Sequence, residues 1–501
     1  MSLSRPPIAR RGVAATLAAL LLATAPAGAQ LPTLGDAGAI SSSAERKLGE
    51  RIARELYRDP DYIDDPELVE YVQSLWQPLL AAARARGELT AELDERFAWQ
   101  VLLGKDRTIN AFALPGGWLG LHLGLVSVTS SRDEVASVLA HELSHVTQRH
   151  ISRMVAKESQ QTPWVLAAMI LGAMAASRNP QAGGAVMAGS QALAAQQSLN
   201  FSRDMEREAD RIGFGVATQA GFEPQGFVTM FEKLQQAARL NDTGNYPYLR
   251  THPMTSERIA DMQSRQQLSD HGPVQPTLEH ALMAARARVI SNPGVDALRA
   301  TVVEADASGF AALPRVRQAN VLYAATLAAW RLRDPAAVSR LMGRLDAVVA
   351  GDPTGQRLAR LLAAEIALAL GDNTRVLRTL DADSKRRPEL LLTAQAQVQS
   401  GKAAEAAQRL QTWVATQPRD AAAWQLLSSA YAAQGQSLRA VRAEAEARVA
   451  QLDYTAALDR FKAAQDLVRR GAGGGDHIEA SIIDTRARQV ESALREQALE
   501  R

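Results

Sequence analysis

Two histidines four residues apart, with a glutamate after the first, set the tightest limit on how this chain can fold: His141-Glu142-Leu143-Ser144-His145. Residues at i and i+4 share one face of an α-helix, so both imidazoles can reach a single cation only if the stretch is helical. Val138, Leu139 and Val146 flank the pair with apolar side chains, so the helix is expected to be buried, and buried histidines need partners. Cysteine is absent from all 501 residues. A metal site must therefore use His, Asp or Glu, and disulfides and thiol-linked lipids are excluded. Two neutral imidazoles, an open position for water and an adjacent carboxylate are what metal-assisted amide hydrolysis requires.

A third ligand has to come from elsewhere. The metzincin extension needs Gly at position 148 and His at 151, where this chain has Gln148 and Ile151. His150 falls about 140° around a continuous helix from His145 and is read as structural. In Ser202-Arg203-Asp204-Met205-Glu206-Arg207-Glu208-Ala209-Asp210, Glu206 and Asp210 share one helical face. Glu206 can complete the metal site, while Asp210 supports catalysis by holding the free ring nitrogen of a ligand histidine. Glu208, on the far side of that helix, is not expected to reach the ion. Upstream, Asn110-Ala111-Phe112-Ala113-Leu114-Pro115-Gly116-Gly117 reads as a turn feeding a strand, Trp118 to Leu123. An exposed edge strand there would hold a substrate segment by backbone pairing. His122 on that strand is expected to pack rather than ligate.

Organisation along the chain points to three parts. Residues 1–29 have the form of a signal peptide: Arg5, Arg10 and Arg11, the short apolar run Gly12 to Ala25, then Ala27-Gly28-Ala29. The run is shorter than the ~20 residues that span a bilayer, so cleavage is expected. Taking those three arginines from the 56 basic residues leaves 53 against 54 acidic ones. That near-neutral balance gives no footprint for nucleic acid. Residues 30–270 hold the unusual chemistry and 271–501 an Ala-, Leu- and Arg-rich helical pattern, the break falling in Ser269-Asp270-His271-Gly272-Pro273. Trp424, Leu427, Tyr431 and Gly435 follow the spacing of a tetratricopeptide first helix, with Gly401 lying 34 residues earlier. Asp453-Tyr454 with Ala457, Leu458 and Phe461 looks like the turn and second helix of another unit. Gly471 to Gly475 is a flexible break before a charged final helix. Trp164 to Ala176, with the small-residue stretch after it, is either a buried helical hairpin or a mobile or membrane-touching flap over the cleft. The fold class expected is mainly α: an α+β catalytic domain with a small sheet beside the histidine helix, then an all-α repeat solenoid.

The segments HELSHVTQRH (His141 to His150), EREADRIG (Glu206 to Gly213) and NAFALPGG together resemble the gluzincins of the HtpX and CAAX-protease type. With the leader and repeats, the chain is similar to the soluble periplasmic branch of that family over nearly its whole mature length. The resemblance implies one zinc ion per subunit, held by His141, His145 and Glu206, with Glu142 as general base. It also implies that His252, in Thr251-His252-Pro253, acts as a further ligand or gate; by its residues alone that position is equally a turn. The implied role is a periplasmic endopeptidase and chaperone-like quality-control factor acting on unfolded or misassembled proteins. Its repeats would dock onto the outer-membrane β-barrel assembly machinery or its clients, with at most peripheral membrane contact. A repeat-based chaperone or adaptor with latent protease activity is the rival reading.

Overall fold

The computed structural model describes residues 40–157, 202–239, 246–267, 276–471 and 476–499. The expected leader, the apolar stretch 164–195, the expected break near 270 and Ala472 to Gly475 lie outside them. The described residues begin with α1 (Ser42–Arg58), where Ser41 Oγ accepts from the Ala44 N–H as N-cap. α2 (Pro66–Ala85) starts at Asp65, whose carboxylate accepts from Leu68 N–H, with Pro66 at the first helical position. A short α3 (Ala91–Arg96) leads into the sheet.

The sheet has four strands, β1 (Tyr62–Ile63), β2 (Gln100–Gly104), β3 (Ala111–Leu114) and β4 (Trp118–His122), in the order β1-β2-β4-β3. β2 and β4 are parallel, with Leu102 opposite Gly120, while β1 and β3 pair antiparallel on the outside. This corrects the sequence reading. The NAFAL segment is itself the edge strand, and Trp118 to His122, fully buried, is interior. The turn is confined to Pro115–Gly117, where Gly116 and Gly117 have φ of +71° and +86°, values that L side chains rarely adopt.

Behind the sheet run α4 (Leu123–Val128), α5 (Arg132–Thr147), α6 (His150–Lys157), α7 (Arg203–Gln219), α8 (Gln225–Arg239), α9 (Tyr248–Thr251), α10 (Ser256–Gln267) and α11 (Leu278–Ser291). Every residue of α5 from Asp133 to Thr147 is buried, because helices and the sheet cover it on all sides. Ser131 Oγ caps its start, and Asp133 and Glu134 in the first turn suit the positive end of the helix dipole.

Past α11 the chain folds into helix–turn–helix pairs. The last four are Pro353–Ala369 with Asn373–Thr379, Arg387–Gln399 with Ala403–Thr416, Ala421–Ala433 with Ser437–Ala450, and Tyr454–Arg469 with His477–Leu499. Each pair turns at a left-handed glycine: Gly371, Gly401, Gly435 and Gly471. Trp424, Leu427 and Tyr431 face the interior of their pair, as their spacing requires. Tyr454–Arg469 opens the last pair rather than closing one, since Ser437–Ala450 already fills the second place before it. Apolar residues three and four apart look alike in first and second helices, so the pattern alone does not tell them apart.

A single apolar core runs from Leu48 to Ala396, and smaller clusters form around Trp424 and Phe461. α11 joins the catalytic half to the repeats within that core. His280 there donates its Nε2–H to the Thr129 carbonyl at 3.0 Å and accepts at Nδ1 from the Tyr71 hydroxyl at 2.7 Å. Arg286 grips Asp65 through two hydrogen bonds of 2.6 and 2.8 Å. Further pairs, both at 2.7 Å, join Arg357 to Glu70 of α2 and Arg387 to Asp64 just before that helix. Among the described residues, no helix is long and apolar enough to cross a membrane.

Candidate metal centre

Close approach of α7 to α5 builds the site. A Cβ added at Gly213 would lie 3.1 Å from the backbone of Ala140 and His141, so the two helices touch main chain to main chain there. That contact lays Glu206 and Asp210, one turn apart on α7, over the face of α5 that carries His141 and His145. His252 arrives from the C-terminal end of α9. All four of His141, His145, Glu206 and His252 are buried and offer ligand atoms within 4.8 Å of one another. His141 Nε2 lies 3.0 Å from His145 Nε2 and 3.4 Å from His252 Nδ1. Glu206 Oε1 lies 3.0 Å from His252 Nδ1 and 3.4 Å from His145 Nε2. Four donors on a tetrahedral ion with bonds of roughly 2.0–2.1 Å stand about 3.3 Å apart, so the cluster fits such an ion.

Each donor is held from behind. Asp210 Oδ1 is 2.9 Å from His141 Nδ1, turning Nε2 of that ring inward. Arg258 of α10, buried at 4% exposure, binds Asp210 at 2.7 and 2.8 Å, Glu206 Oε2 at 2.8 Å and the Pro253 carbonyl at 2.9 Å. One guanidinium thus ties Glu206, the partner of His141 and the residue after His252. Nothing in the polar α10 sequence marks it out. The His252 ring stacks on Tyr248 at 4.5 Å between centroids. Glu142 is fully buried: its Oε2 accepts from the Ala113 N–H of β3 at 2.9 Å, and its Oε1 lies 3.5 Å from His252 Nε2.

The expected direction of His150 is wrong. α5 stops at Thr147, Arg149 takes φ +52°, and the chain doubles back so that His150 Nδ1 comes to 2.8 Å from His145 Nδ1. The 140° estimate assumed an unbroken helix. Glu208 stays away from the ligand cluster, as read, but meets His150 Nε2 at 3.0 Å. His122 packs on β4 with Nδ1 2.8 Å from Thr108 Oγ1.

The electrostatics ask for a cation. Burial works against ionised Glu206, yet His252, His141 and His145 overcome it and hold its carboxyl well below the usual range. Asp210 is likewise held low, against burial, by Arg258 and His141. Burial also disfavours a charged His141, but Asp210 and Glu206 push its pKa up to about 10, while burial and the neighbouring imidazoles hold His145 far down. Two buried carboxylates therefore demand positive charge beyond Arg258. A proton on His141 answers that demand in a metal-free pocket, and a divalent ion would answer it in the proton's place.

What the packed helix pair builds is a buried donor cluster that fits the centre of a metal-dependent endopeptidase, with the Glu142 carboxylate alongside. Residues 70–266 match peptidase family M48. Over 467 residues the chain is 30% identical to the beta-barrel assembly-enhancing protease of Escherichia coli, covering 92% of each. It is 29% identical over 496 residues to the protein of that name from Yersinia pestis, covering 95% of this chain and 97% of the other. It is also 26% identical over 196 residues to the mitochondrial metalloendopeptidase OMA1 of Saccharomyces cerevisiae, 38% of this chain and 54% of that one. The chain belongs to peptidase family M48.

Proposed function

We propose that the ion is zinc, one per subunit, held by His141, His145 and Glu206, with His252 as a fourth ligand in a latent form. The convergence of those four donors within 4.8 Å, with Glu142 beside them, carries this reading. Imidazole and carboxylate in a small, closed set suit zinc rather than the all-oxygen shells of calcium or magnesium. When bound, zinc supplies charge that polarises a peptide carbonyl and acidifies water near neutral pH. Glu142, pinned by Ala113 through Oε2, uses Oε1 to take the water's proton and return it to the leaving amine. Asp210 keeps the His141 ring oriented. His252 stands between the cluster and Glu142, Nδ1 toward one and Nε2 toward the other, where an attacking water needs room. Turnover requires the segment from Tyr248 to Pro253 to withdraw. A substrate laid along edge strand β3 would pair through its main chain, with little side-chain selectivity.

The leader at 1–29 and the relatives' printed name support a periplasmic enzyme for quality control of outer-membrane protein assembly. In this reading residues 30–270 cleave unfolded or misassembled proteins, while tetratricopeptide repeats in 271–501 dock onto the β-barrel assembly machinery or its clients. A second reading, a chaperone or adaptor with proteolysis held off, is favoured by the place of His252 in the ligand cluster. Metal analysis and casein cleavage by the purified mature chain separate the two. Glu142→Gln keeps its metal and loses about 10²–10⁴ in rate, and His252→Ala gains cleavage. If His252→Ala holds zinc yet cleaves nothing, the adaptor reading stands; a wild-type chain that binds no metal removes both forms of the enzyme.

A further inference from the structure

His141 and His145 are supported in different ways. His141 has a carboxylate, Asp210, directly on its outer nitrogen. The outer nitrogen of His145 instead faces His150, and the Glu208 carboxylate stands beyond that ring. The donors along this line can be assigned. Glu208 Oε2, a carboxylate oxygen, can only accept, so His150 Nε2 at 3.0 Å carries the proton and donates. A neutral His150 then presents an unprotonated Nδ1, which accepts from His145 Nδ1–H at 2.8 Å. His145 is left with its Nε2 lone pair facing Glu206 Oε1 and His141 Nε2, the form a metal ligand needs.

The backbone is bent to make this line. Arg149 holds a left-handed φ of +52°, a strained setting for a residue with a side chain, and that reversal is what swings His150 back over His145. The strained turn is clamped: Arg149 Nε meets Glu45 at 3.1 Å, and its guanidinium also reaches the Ile40 carbonyl and Ser152. At the outer end, Arg153 holds Glu208 at 2.9 Å. His150 is wholly buried, while Glu208 lies partly exposed.

We propose that His150 and Glu208 are positioning residues that fix the tautomer and ring orientation of His145, a relay from surface carboxylate to ligand that runs parallel to Asp210 on His141. It rests on the reading of His145 as a metal ligand. Partners of this kind are worth roughly 10–100-fold in metal affinity. The test is zinc affinity of the full mature chain, measured by competition with a chromogenic chelator, beside the melting temperature of the metal-free protein. His150→Phe keeps the ring shape and loses both nitrogens; it weakens zinc binding about 10–100-fold. At the more exposed end, Glu208→Lys turns the acceptor into a donor and opposes the required tautomer. Glu208→Gln can still accept. Zinc affinity falls in Glu208→Lys and stays near wild type in Glu208→Gln, with equal metal-free melting temperatures. Should His150→Phe fail to fold, the Glu208 pair decides alone. Wild-type affinity in Glu208→Lys, or a loss confined to metal-free stability, overturns the relay. A wild-type chain that takes up no zinc overturns the ligand reading itself, and the relay with it.

Discussion

Replacing Arg286 with Met takes away the cation at the centre of a cluster of acids. Its guanidinium, 3% exposed, contacts Asp65 at 2.6 and 2.8 Å, Glu67 at 3.2 Å and Glu365 at 2.8 Å. Asp65 and Glu67 are buried at the start of α2, and Asp65 also caps that helix. Burial already pushes the Glu67 pKa up to about 8, against the pull of Arg286. Without the guanidinium, the buried Asp65 carboxylate loses its partner beside the buried Glu67 carboxyl, and breaking a buried pair in this way costs about 3–5 kcal/mol. The pH dependence follows from the sign of the shift. A carboxyl whose folded pKa is raised favours the fold fully below its unfolded value near 4.5, and that contribution disappears as pH rises through about 8. In the variant the pull of Arg286 on Glu67 is gone and burial acts on that carboxyl unopposed, so the deficit grows from pH 5 to pH 8. Urea unfolding of both proteins at those two pH values measures it. A deficit under about 1 kcal/mol, or one that does not change with pH, refutes the claim that Arg286 is what lets these acids stay buried.

Arg258→Gln removes the double grip on Asp210 and the contact to Glu206, and is expected to weaken zinc binding about 10–100-fold in a chelator competition. His280 has its pKa lowered by burial, so its contribution is complete above its ordinary value of 6.5 and falls away as pH drops below it. His280→Asn should therefore flatten the loss of stability between pH 7 and pH 5, read from urea midpoints; an unchanged slope counts against this. Gly213→Leu forces a side chain against the α5 backbone at Ala140 and His141, with an expected cost of about 1–3 kcal/mol and weaker metal uptake, checked by calorimetry and metal analysis.

The parts of the site legible in the sequence were those set by helical spacing. His141 with His145, and Glu206 with Asp210, are each i and i+4 pairs, and a helix puts such pairs on one face whatever surrounds it. The repeat turns were legible for a similar reason, since a left-handed turn calls for glycine at Gly401 and Gly435. What escaped depends on where distant segments meet or where a helix breaks. The direction of His150 turned on one backbone angle at Arg149, a residue type that gives no hint of a left-handed conformation. Arg258 and Arg286 are two among many arginines, and only the packed chain shows which acids they meet. The NAFAL strand was short enough to pass for the turn that follows it.

The core shared across α11 makes it impossible to treat the peptidase and its repeats as modules that can be pulled apart. Eleven of the fourteen residues of α11 are buried, with α2 and α4 on one side and the repeat helix Arg315–Arg331 on the other. A shortened version ending before Leu278 would lay bare the underside of the catalytic half, and one beginning there would start with an uncovered helix. The helix pairs after α11 are thus tied to the histidine site through one continuous core, and the distance between the two is set when the chain folds.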